Sequence, residues 1–223
     1  MRRAMEYARG FGLPVISHCE DKSLAPGGVM HESALSTKLG LRGIPSAVEE
    51  VMLARDIMLT ELTGSRLHVA HLSSAGSVEL VRAAKKKGIS VTAEVTPHHL
   101  ALTQDAVDGY DVNAKVNPPL REDGDRCALI DGLCDGTIDA IATDHAPHAI
   151  TDKEVGFQDS SFGVVGFETM LPIILNLVHE KKITIERMIE SLTSSPAKTL
   201  NLKDRGTLNV GSVADIVIFD PES

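Results

Sequence analysis

Two periodicities of apolar and polar residues alternate along this chain. Short apolar runs typical of buried strands cover residues 13–17, 66–70, 89–95 and 137–143, with a weaker candidate at 111–116. Between them, apolar residues recur at helical spacing over residues 4–10, 45–62, 75–87 and 121–133, and residues 164–200 are mostly helical in pattern. This order of strands and helices predicts an α/β fold, in which helices cover a parallel sheet.

Individual residues mark where several of these helices begin and end. Ser74 and Thr184 are suitable N-caps, because their hydroxyls can accept hydrogen bonds from the first helical turn. Gly64 and Gly88 are suited to terminate helices. Pro172 fits near the start of a helix, where its missing N–H is tolerated.

The pattern accounts for only part of a closed barrel. Four to five strand–helix units can be counted, whereas a barrel of alternating strands and helices needs eight. The chain opens in what resembles the middle of an amphipathic helix. Residues 206–208 and 214–219 change to strand character and then end abruptly. We therefore expect a partial barrel followed by a short β segment.

Composition and charge narrow the class of protein. With 223 residues, of which 43% are hydrophobic, the chain can bury a sizeable core. A net charge of -9 without a long basic cluster argues against nucleic acid and anionic membranes as partners. No signal peptide or membrane span is recognisable, and three cysteines without paired spacing indicate a reducing, cytoplasmic compartment.

Three of the apolar runs lead into residues that can carry chemistry. The first is followed by His18, the second by His71, and the last by the sequence Asp-His-Ala-Pro-His, which begins at Asp144 and ends at His148. The carboxyl ends of parallel strands meet at one edge, where α/β barrels keep their active sites. Two neutral imidazoles and a carboxylate suit a divalent metal, with zinc the leading candidate.

Other histidines and a cysteine fit this site less well. His68 lies three residues before His71 on the same strand and should point to the opposite face, in a structural role. His98 and His99 are adjacent, and neighbouring residues rarely both reach one site, so either is a weaker ligand candidate. Cys19 follows His18 and should point away from it into the core.

Two loops are candidates for contacting a ligand. Asn117 follows the weak strand and precedes two prolines, which would fix the direction of its amide, although ordinary turn chemistry also explains it. The segment Phe-Gly-Val-Val-Gly at 162–166 does not fit a nucleotide-binding fingerprint, because no strand leads into it at the required spacing. A mobile loop that closes over a site is the better interpretation.

The motifs together resemble those of one family. They are His-Cys-Glu-Asp at 18–21, Gly-Ile-Pro at 43–45, His-Leu-Ser at 71–73, Thr-Ala-Glu-Val-Thr-Pro-His-His at 92–99, Asn-Pro-Pro-Leu-Arg at 117–121, Asp-Gly-Thr-Ile-Asp at 135–139 and Ala-Thr-Asp-His-Ala-Pro-His at 142–148. On these residues the chain resembles the dihydroorotases of the amidohydrolase superfamily, of the type found in many bacteria.

The resemblance implies a fold and an activity. The fold is a metal-dependent (β/α)8 TIM-like barrel flanked by a small β domain, of which residues 1–200 would form the second half and residues 201–223 the start of the β domain. The activity is the reversible, zinc-dependent hydrolysis of L-dihydroorotate to N-carbamoyl-L-aspartate in pyrimidine biosynthesis. Such an enzyme carries one or two zinc ions per complete site.

The resemblance also assigns roles to residues. His18 and His71 are expected zinc ligands, and Asp144 is expected to be both a ligand and the general base. The expected substrate contacts are Asn117, His148, Phe162 and Gly163. The His-x-His pair of the family's first strand, the arginine after it and the aspartate of the fourth strand are not in this sequence, so we expect the chain to be inactive alone.

Two alternatives remain open. Hydantoinases and allantoinases use the same barrel and similar ligands on other cyclic amides. A dihydroorotase-like barrel can also serve as a non-catalytic scaffold for aspartate transcarbamoylase, although such scaffolds typically lose metal ligands that are present here. For the full-length protein we expect a homo-oligomer, with aspartate transcarbamoylase as a conceivable partner.

Overall fold

The computed structural model describes residues 1–222. Its main sheet has four parallel strands, which are β1 (Pro14–Ser17), β4 (Arg66–Val69), β5 (Val91–Val95) and β6 (Ala140–Ile141), in the spatial order β1-β4-β5-β6. A second, two-stranded parallel sheet pairs β2 (Met30–His31) with β3 (Gly43–Ile44). The parallel sheet expected from the sequence is therefore present.

Helices connect the strands. They are α1 (Arg2–Gly10), α2 (Ala34–Leu39), α3 (Ala47–Thr63), α4 (Ala75–Lys86), α5 (Pro97–Ala101), α6 (Asp123–Cys134), α7 (Ile150–Lys153), α8 (Met170–His179), α9 (Ile185–Leu192) and α10 (Ser194–Thr199). Short 3-10 turns occupy Lys22–Leu24, Gln104–Val107 and Val112–Ala114. Within residues 1–222, no helix is both long and apolar enough to cross a membrane.

The predicted helix ends have the expected local causes. The Ser74 side chain accepts a hydrogen bond from the backbone N–H of Ser77 at 3.1 Å and so caps α4. Thr184 caps α9 in the same way through Arg187 N–H, also at 3.1 Å. Gly64 ends α3 with a φ of 61°, a conformation that glycine adopts without steric cost.

The buried hydrophobic side chains form two clusters. The larger one forms between the sheet and its helices and includes Leu53, Leu67, Val69, Ala93, Val95, Leu133 and Ile174. The smaller one packs beneath the loops that follow the strands and includes Met30, Val107, Val116, Leu120 and Phe157. The second cluster supports the loops that carry the candidate site residues.

Residues 111–116 do not form the strand that their pattern suggested. They contain a 3-10 turn, Val112–Ala114, in which the Asp111 carboxylate accepts a hydrogen bond from the backbone N–H of Asn113 at 2.9 Å. Aspartate favours such local bonds over the extended ladder of a sheet. The predicted strand at 137–143 is present but shortened to β6.

The β character expected at residues 206–208 and 214–219 is also wrong for the described part of the chain, since residues 201–222 contain no strand. Their apolar side chains are largely exposed, with Val217 81% and Ile218 93% exposed. A strand is stable only when a neighbour pairs with it and covers one face. Ser223 lies outside the described residues, and the division of the chain at residue 200 remains a prediction.

Candidate active site

Two histidines meet at the carboxyl end of the sheet. His18 follows β1 and His71 follows β4, and these strands are direct neighbours. The Nδ1 atom of His18 lies 2.8 Å from the Nε2 atom of His71. The other ring nitrogen of His18, Nε2, lies 3.1 Å from a carboxylate oxygen of Glu20. The structure therefore brings together two of the three predicted metal ligands.

Asp144 follows β6 and approaches the same region. Burial lowers the pKa of His71, the neighbouring His18 lowers it further, and the negative charge of Asp144 opposes these effects. His71 and Asp144 have positive φ angles of 35° and 47°. Non-glycine residues rarely adopt this conformation, and it is found preferentially at functional sites.

The donor set fits part of a metal site. Because Glu20 can accept the Nε2 proton of His18, it favours the tautomer in which Nδ1 carries a lone pair toward His71. In this tautomer the His71 Nε2–H donates to His18 Nδ1 at 2.8 Å, and zinc held by both nitrogens would replace that hydrogen bond. Across residues 1–222, however, no three His, Cys, Asp or Glu side chains are arranged so that they could hold a metal ion.

Asn117 is connected to the histidine pair through Glu20. Its side-chain amide donates a hydrogen bond to Glu20 Oε1 at 3.2 Å, while Glu20 Oε2 faces His18. The predicted substrate contact thus lies beside the candidate metal ligands. Glu20 belongs to the His-Cys-Glu-Asp motif, but nothing in the sequence indicated that it bridges Asn117 and His18.

Three further residues predicted to contact substrate, His148, Phe162 and Gly163, lie together where two loops meet. The Nε2 atom of His148 lies 2.7 Å from the carbonyl oxygen of Phe162. Gly163 has a φ of 132°, and a Cβ placed there would lie 2.7 Å from the carbonyl oxygen of Ala146. Only glycine fits this close approach, which holds the two loops together.

A cavity of about 400 Å³ adjoins these loops. It is lined by His98, His148, Lys153 and Gly163 together with apolar side chains such as Val116 and Ile173. Its size and mixed lining are typical of small-molecule sites.

His98 and His99 differ sharply in their surroundings. His99 has partners for both ring nitrogens, with Thr96 Oγ1 at 2.7 Å and the Pro118 carbonyl oxygen at 3.0 Å, and so has a structural role. His98 is only 7% exposed, and its Nε2 atom has no hydrogen-bond partner. Burial lowers the pKa of His98 to about 4, so its ring is neutral near pH 7.

His68 and Cys19 lie in structural surroundings. The His68 ring is buried between Thr92 Oγ1 at 2.8 Å and Glu94 Oε2 at 2.9 Å. Cys19 is buried in the main core, and burial raises the pKa of its thiol to about 12. Such a thiol stays protonated and is a poor metal ligand.

Lys115 organises the loop that carries Phe162 and Gly163. The residue is 2% exposed, and Nζ donates hydrogen bonds to the carbonyls of Phe157, Gln158 and Ser160 at 2.7, 3.1 and 2.6 Å. Sequence reasoning missed this residue. A charged side chain between Ala114 and Val116 on a weakly polar segment was the only available signal.

Parallel strands covered by helices, with histidines at the strand ends, are features of α/β barrel-type hydrolases, and the comparisons agree with this class. The model of the amidohydrolase family matches residues 1–223. The chain belongs to the amidohydrolase family.

Relatives within this family carry more specific names. The chain is 55% identical over 223 residues to a dihydroorotase from Pelotomaculum thermopropionicum, and 53% identical over 223 residues to one from Geobacter metallireducens. Each alignment covers 100% of this chain and 52% of the relative. The chain therefore spans about half the length of the curated relatives that it matches.

Solved structures also resemble the chain, over about half of their own length. An L-hydantoinase from Arthrobacter aurescens has a TM-score of 0.83 at 28% identity, covering 96% of this chain and 49% of that one. A dihydropyrimidinase from Brevibacillus agri also has a TM-score of 0.83, at 26% identity and the same coverage. These similarities support the barrel-type fold expected from the sequence.

Proposed function

We propose that this chain supplies half of the active site of a dihydroorotase, which reversibly hydrolyses L-dihydroorotate to N-carbamoyl-L-aspartate in pyrimidine biosynthesis. The observation that carries the proposal is the 2.8 Å approach of His18 Nδ1 to His71 Nε2 at the carboxyl end of a parallel sheet. The identity of 53–55% to dihydroorotases supports the choice of substrate. The reducing compartment suggested by the cysteines suits a cytoplasmic enzyme.

In this proposal His18, His71 and Asp144 are the residues that would hold zinc. Bound zinc supplies a Lewis acid for the ring carbonyl and lowers the pKa of the attacking water. Asp144 accepts the proton of that water and returns it to the leaving ring nitrogen, so that it acts first as base and then as acid. Glu20 orients His18 by accepting its Nε2 proton.

The substrate is held where the loops of His148 and Gly163 meet. His148 and the backbone of Phe162 and Gly163 lie together, and His148 and Gly163 line the adjoining cavity. In this proposal they bind the carboxylate and the ring of the substrate, with Asn117 contacting it from the His18 side. Their contribution is to bind and orient the substrate, with equal contacts to the substrate and to the transition state.

The hydantoinase and allantoinase alternatives share the barrel and its ligands. Two similar solved structures are a hydantoinase and a dihydropyrimidinase, but their identities of 28% and 26% are about half those of the dihydroorotases. This difference favours dihydroorotate. The scaffold alternative is disfavoured because His18, His71 and Asp144 are all retained. Association with aspartate transcarbamoylase and homo-oligomer formation by the longer protein are further parts of the proposal.

The proposal is tested by measuring ring opening of L-dihydroorotate, hydantoin and allantoin with added zinc. The assay uses this chain alone and mixed with a separately made chain that provides the family's first four strands. We expect turnover of dihydroorotate only in the mixture, because the first-strand histidine pair is not in this sequence. Preference for hydantoin or allantoin would overturn the substrate assignment.

A further inference from the structure

Arg121 is buried beneath the candidate site although it is a charged residue. The residue is 3% exposed, and its Nε donates a hydrogen bond to Ser73 Oγ at 2.8 Å. Its NH1 group donates to His31 Nδ1 at 3.0 Å and to the Ile44 carbonyl oxygen at 3.2 Å. Burying a guanidinium is costly unless it is paired and hydrogen-bonded, so this placement requires compensation.

Glu49 of α3 supplies that compensation from the other side of the same serine. It is 3% exposed and accepts hydrogen bonds from the backbone N–H groups of Ser73 and Ser74 at 3.1 and 3.3 Å, and from the Ser73 hydroxyl. The Arg121 guanidinium lies 4.0 Å from the Glu49 carboxylate. Ser73 is thus held between a carboxylate and a guanidinium.

Ser73 follows His71 by two residues, and His71 has the unfavourable φ of 35°. A non-glycine residue keeps such a conformation only when the surrounding structure enforces it. The hydrogen bonds on Ser73 and Ser74 fix the backbone immediately after His71. They are the contacts best placed to hold the His71 ring in its direction toward His18.

The segment from Asn117 to Arg121 connects this clamp to the other histidine. At its start, Asn117 donates to Glu20, which faces His18, and at its end Arg121 donates to Ser73. One short segment therefore reaches the loops that follow β1 and β4. This explains how two histidines on separate loops can keep a fixed separation.

We propose that Arg121 and Glu49 are positioning residues that set the approach of His71 to His18 by clamping Ser73 between them. Both residues are buried, and the hydrogen bonds of their side chains are to other residues of the chain. The interpretation of the histidine pair as metal ligands rests on the proposed function, but the claim about their geometry does not. A purely structural role for Arg121 and Glu49 predicts instead that replacing them lowers stability and leaves the contact between the His18 and His71 rings unchanged.

The test compares Glu49→Gln and Arg121→Met with the unmodified chain, and uses Arg82→Gln as the matched control. Arg82 also pairs with a carboxylate, that of Asp135 at 2.8 Å, but on the outer helices, away from Ser73. Ring nitrogen shifts of His18 and His71 are recorded by NMR in the metal-free chain at one pH. Zinc affinity is then measured by titration calorimetry, and folding by circular dichroism.

In the metal-free chain we expect both site variants to lose the His18–His71 ring contact, seen as ring nitrogen shifts moving to those of independent imidazoles, while Arg82→Gln leaves them unchanged. Zinc affinity should fall by about tenfold or more in the site variants and by less than about twofold in the control. Folded site variants with unchanged ring shifts would overturn the inference.

Two further substitutions keep the test decisive if Arg121→Met does not fold. Arg121→Lys keeps the charge but loses the planar group that reaches Ser73 and His31 together. Ser73→Ala removes the clamped hydroxyl and keeps its backbone N–H. Both should weaken the ring contact, with the smaller effect in Arg121→Lys, and no effect in either contradicts the inference. If the unmodified chain binds no zinc but its ring nitrogen shifts still change in the site variants, the proposed function is refuted and the positioning role stands.

Discussion

The Nδ1 atom of His18 lies 2.8 Å from the Nε2 atom of His71, although 53 residues separate them in the sequence. His18 is the first residue after β1 and His71 the second after β4, and both lie at the same edge of two neighbouring parallel strands, which is why their rings meet. Two histidines alone do not complete a zinc site, which requires at least one further protein ligand. Its geometry leads to several predictions.

Replacing either histidine of the pair should remove zinc binding by this chain. For His18→Ala and His71→Ala we expect the zinc Kd to rise by about a hundredfold or more, because a lost ligand costs more than a lost outer-shell contact. Titration calorimetry on the isolated chain measures this. His179→Ala is the matched control, since His179 is an exposed-surface histidine bonded to the Pro221 carbonyl oxygen. Equal affinities in all variants would contradict the zinc site.

Asp144 should affect turnover more than binding. In the reconstituted two-part enzyme, Asp144→Asn should lower kcat by about a hundredfold or more, because an amide cannot accept the proton of the attacking water. Steady-state kinetics with dihydroorotate measure this effect. A variant that keeps more than about a tenth of kcat would show that Asp144 is not the general base.

His148 should affect binding more than turnover. In the same assay His148→Ala should raise KM with a small change in kcat. A contact made equally to the substrate and to the transition state contributes to KM and not to kcat. Its neighbour Gly163 provides a second check. Gly163→Ala places a Cβ 3.1 Å from His148 Nε2 and 2.7 Å from Ala146, so KM should rise there as well. A fall in kcat at unchanged KM would place His148 in the chemical step instead.

Lys115 should stabilise the loop at 157–163. Lys115→Met leaves three carbonyl groups without their charged donor, so we expect a loss of about 3 kcal/mol in the free energy of unfolding. Urea denaturation measures the loss, and limited proteolysis should show faster cleavage within the loop. Lys38→Met is the control, because Lys38 forms an exposed pair with Asp108 at 3.4 Å and should change stability by less than about 0.5 kcal/mol.

Stability should fall as the pH is lowered below about 6.5. The pKa of His98 is about 4 in the folded chain and 6.5 in its ordinary state, so the unfolded state binds more protons between these values. The stabilisation is complete above pH 6.5 and is lost as the pH falls toward 4. For His98 alone this is about 2 kcal/mol between about pH 7.5 and 5.

His98→Gln tests this pH dependence, because glutamine does not titrate. Urea denaturation at both pH values should show a smaller stability difference in the variant than in the unmodified chain. The remaining difference has a clear source, since burial also lowers the pKa of His31, His71 and His99. An unchanged difference in His98→Gln would contradict the assignment to His98.

Local pattern was sufficient for the elements that position the site. The short apolar runs before His18, His71 and Asp144 predicted strands, and each strand is present. The caps at Ser74 and Thr184 were predictable because capping depends on residues three positions apart. Period and capping are properties of neighbouring residues, so the sequence expresses them directly.

Local pattern failed where stability depends on a distant partner. The apolar alternation at residues 214–219 indicated a strand, yet residues 201–222 contain none, since a strand requires a neighbour to pair with. The same limit applied to His98 and His99. They are adjacent in the sequence, but only the packing around them leaves His98 Nε2 without a partner and satisfies both nitrogens of His99.

The sequence by itself therefore determined the α/β pattern, the strand ends and the residue types that gather there. Only the tertiary structure decided which of these residues touch, and how they are held. Arg121 meets Ser73 across 48 residues, Glu49 meets Ser73 across 24, and Lys115 meets Phe157 across 42. Such contacts are set by how helices and loops pack on the sheet, and no periodicity along the chain records them.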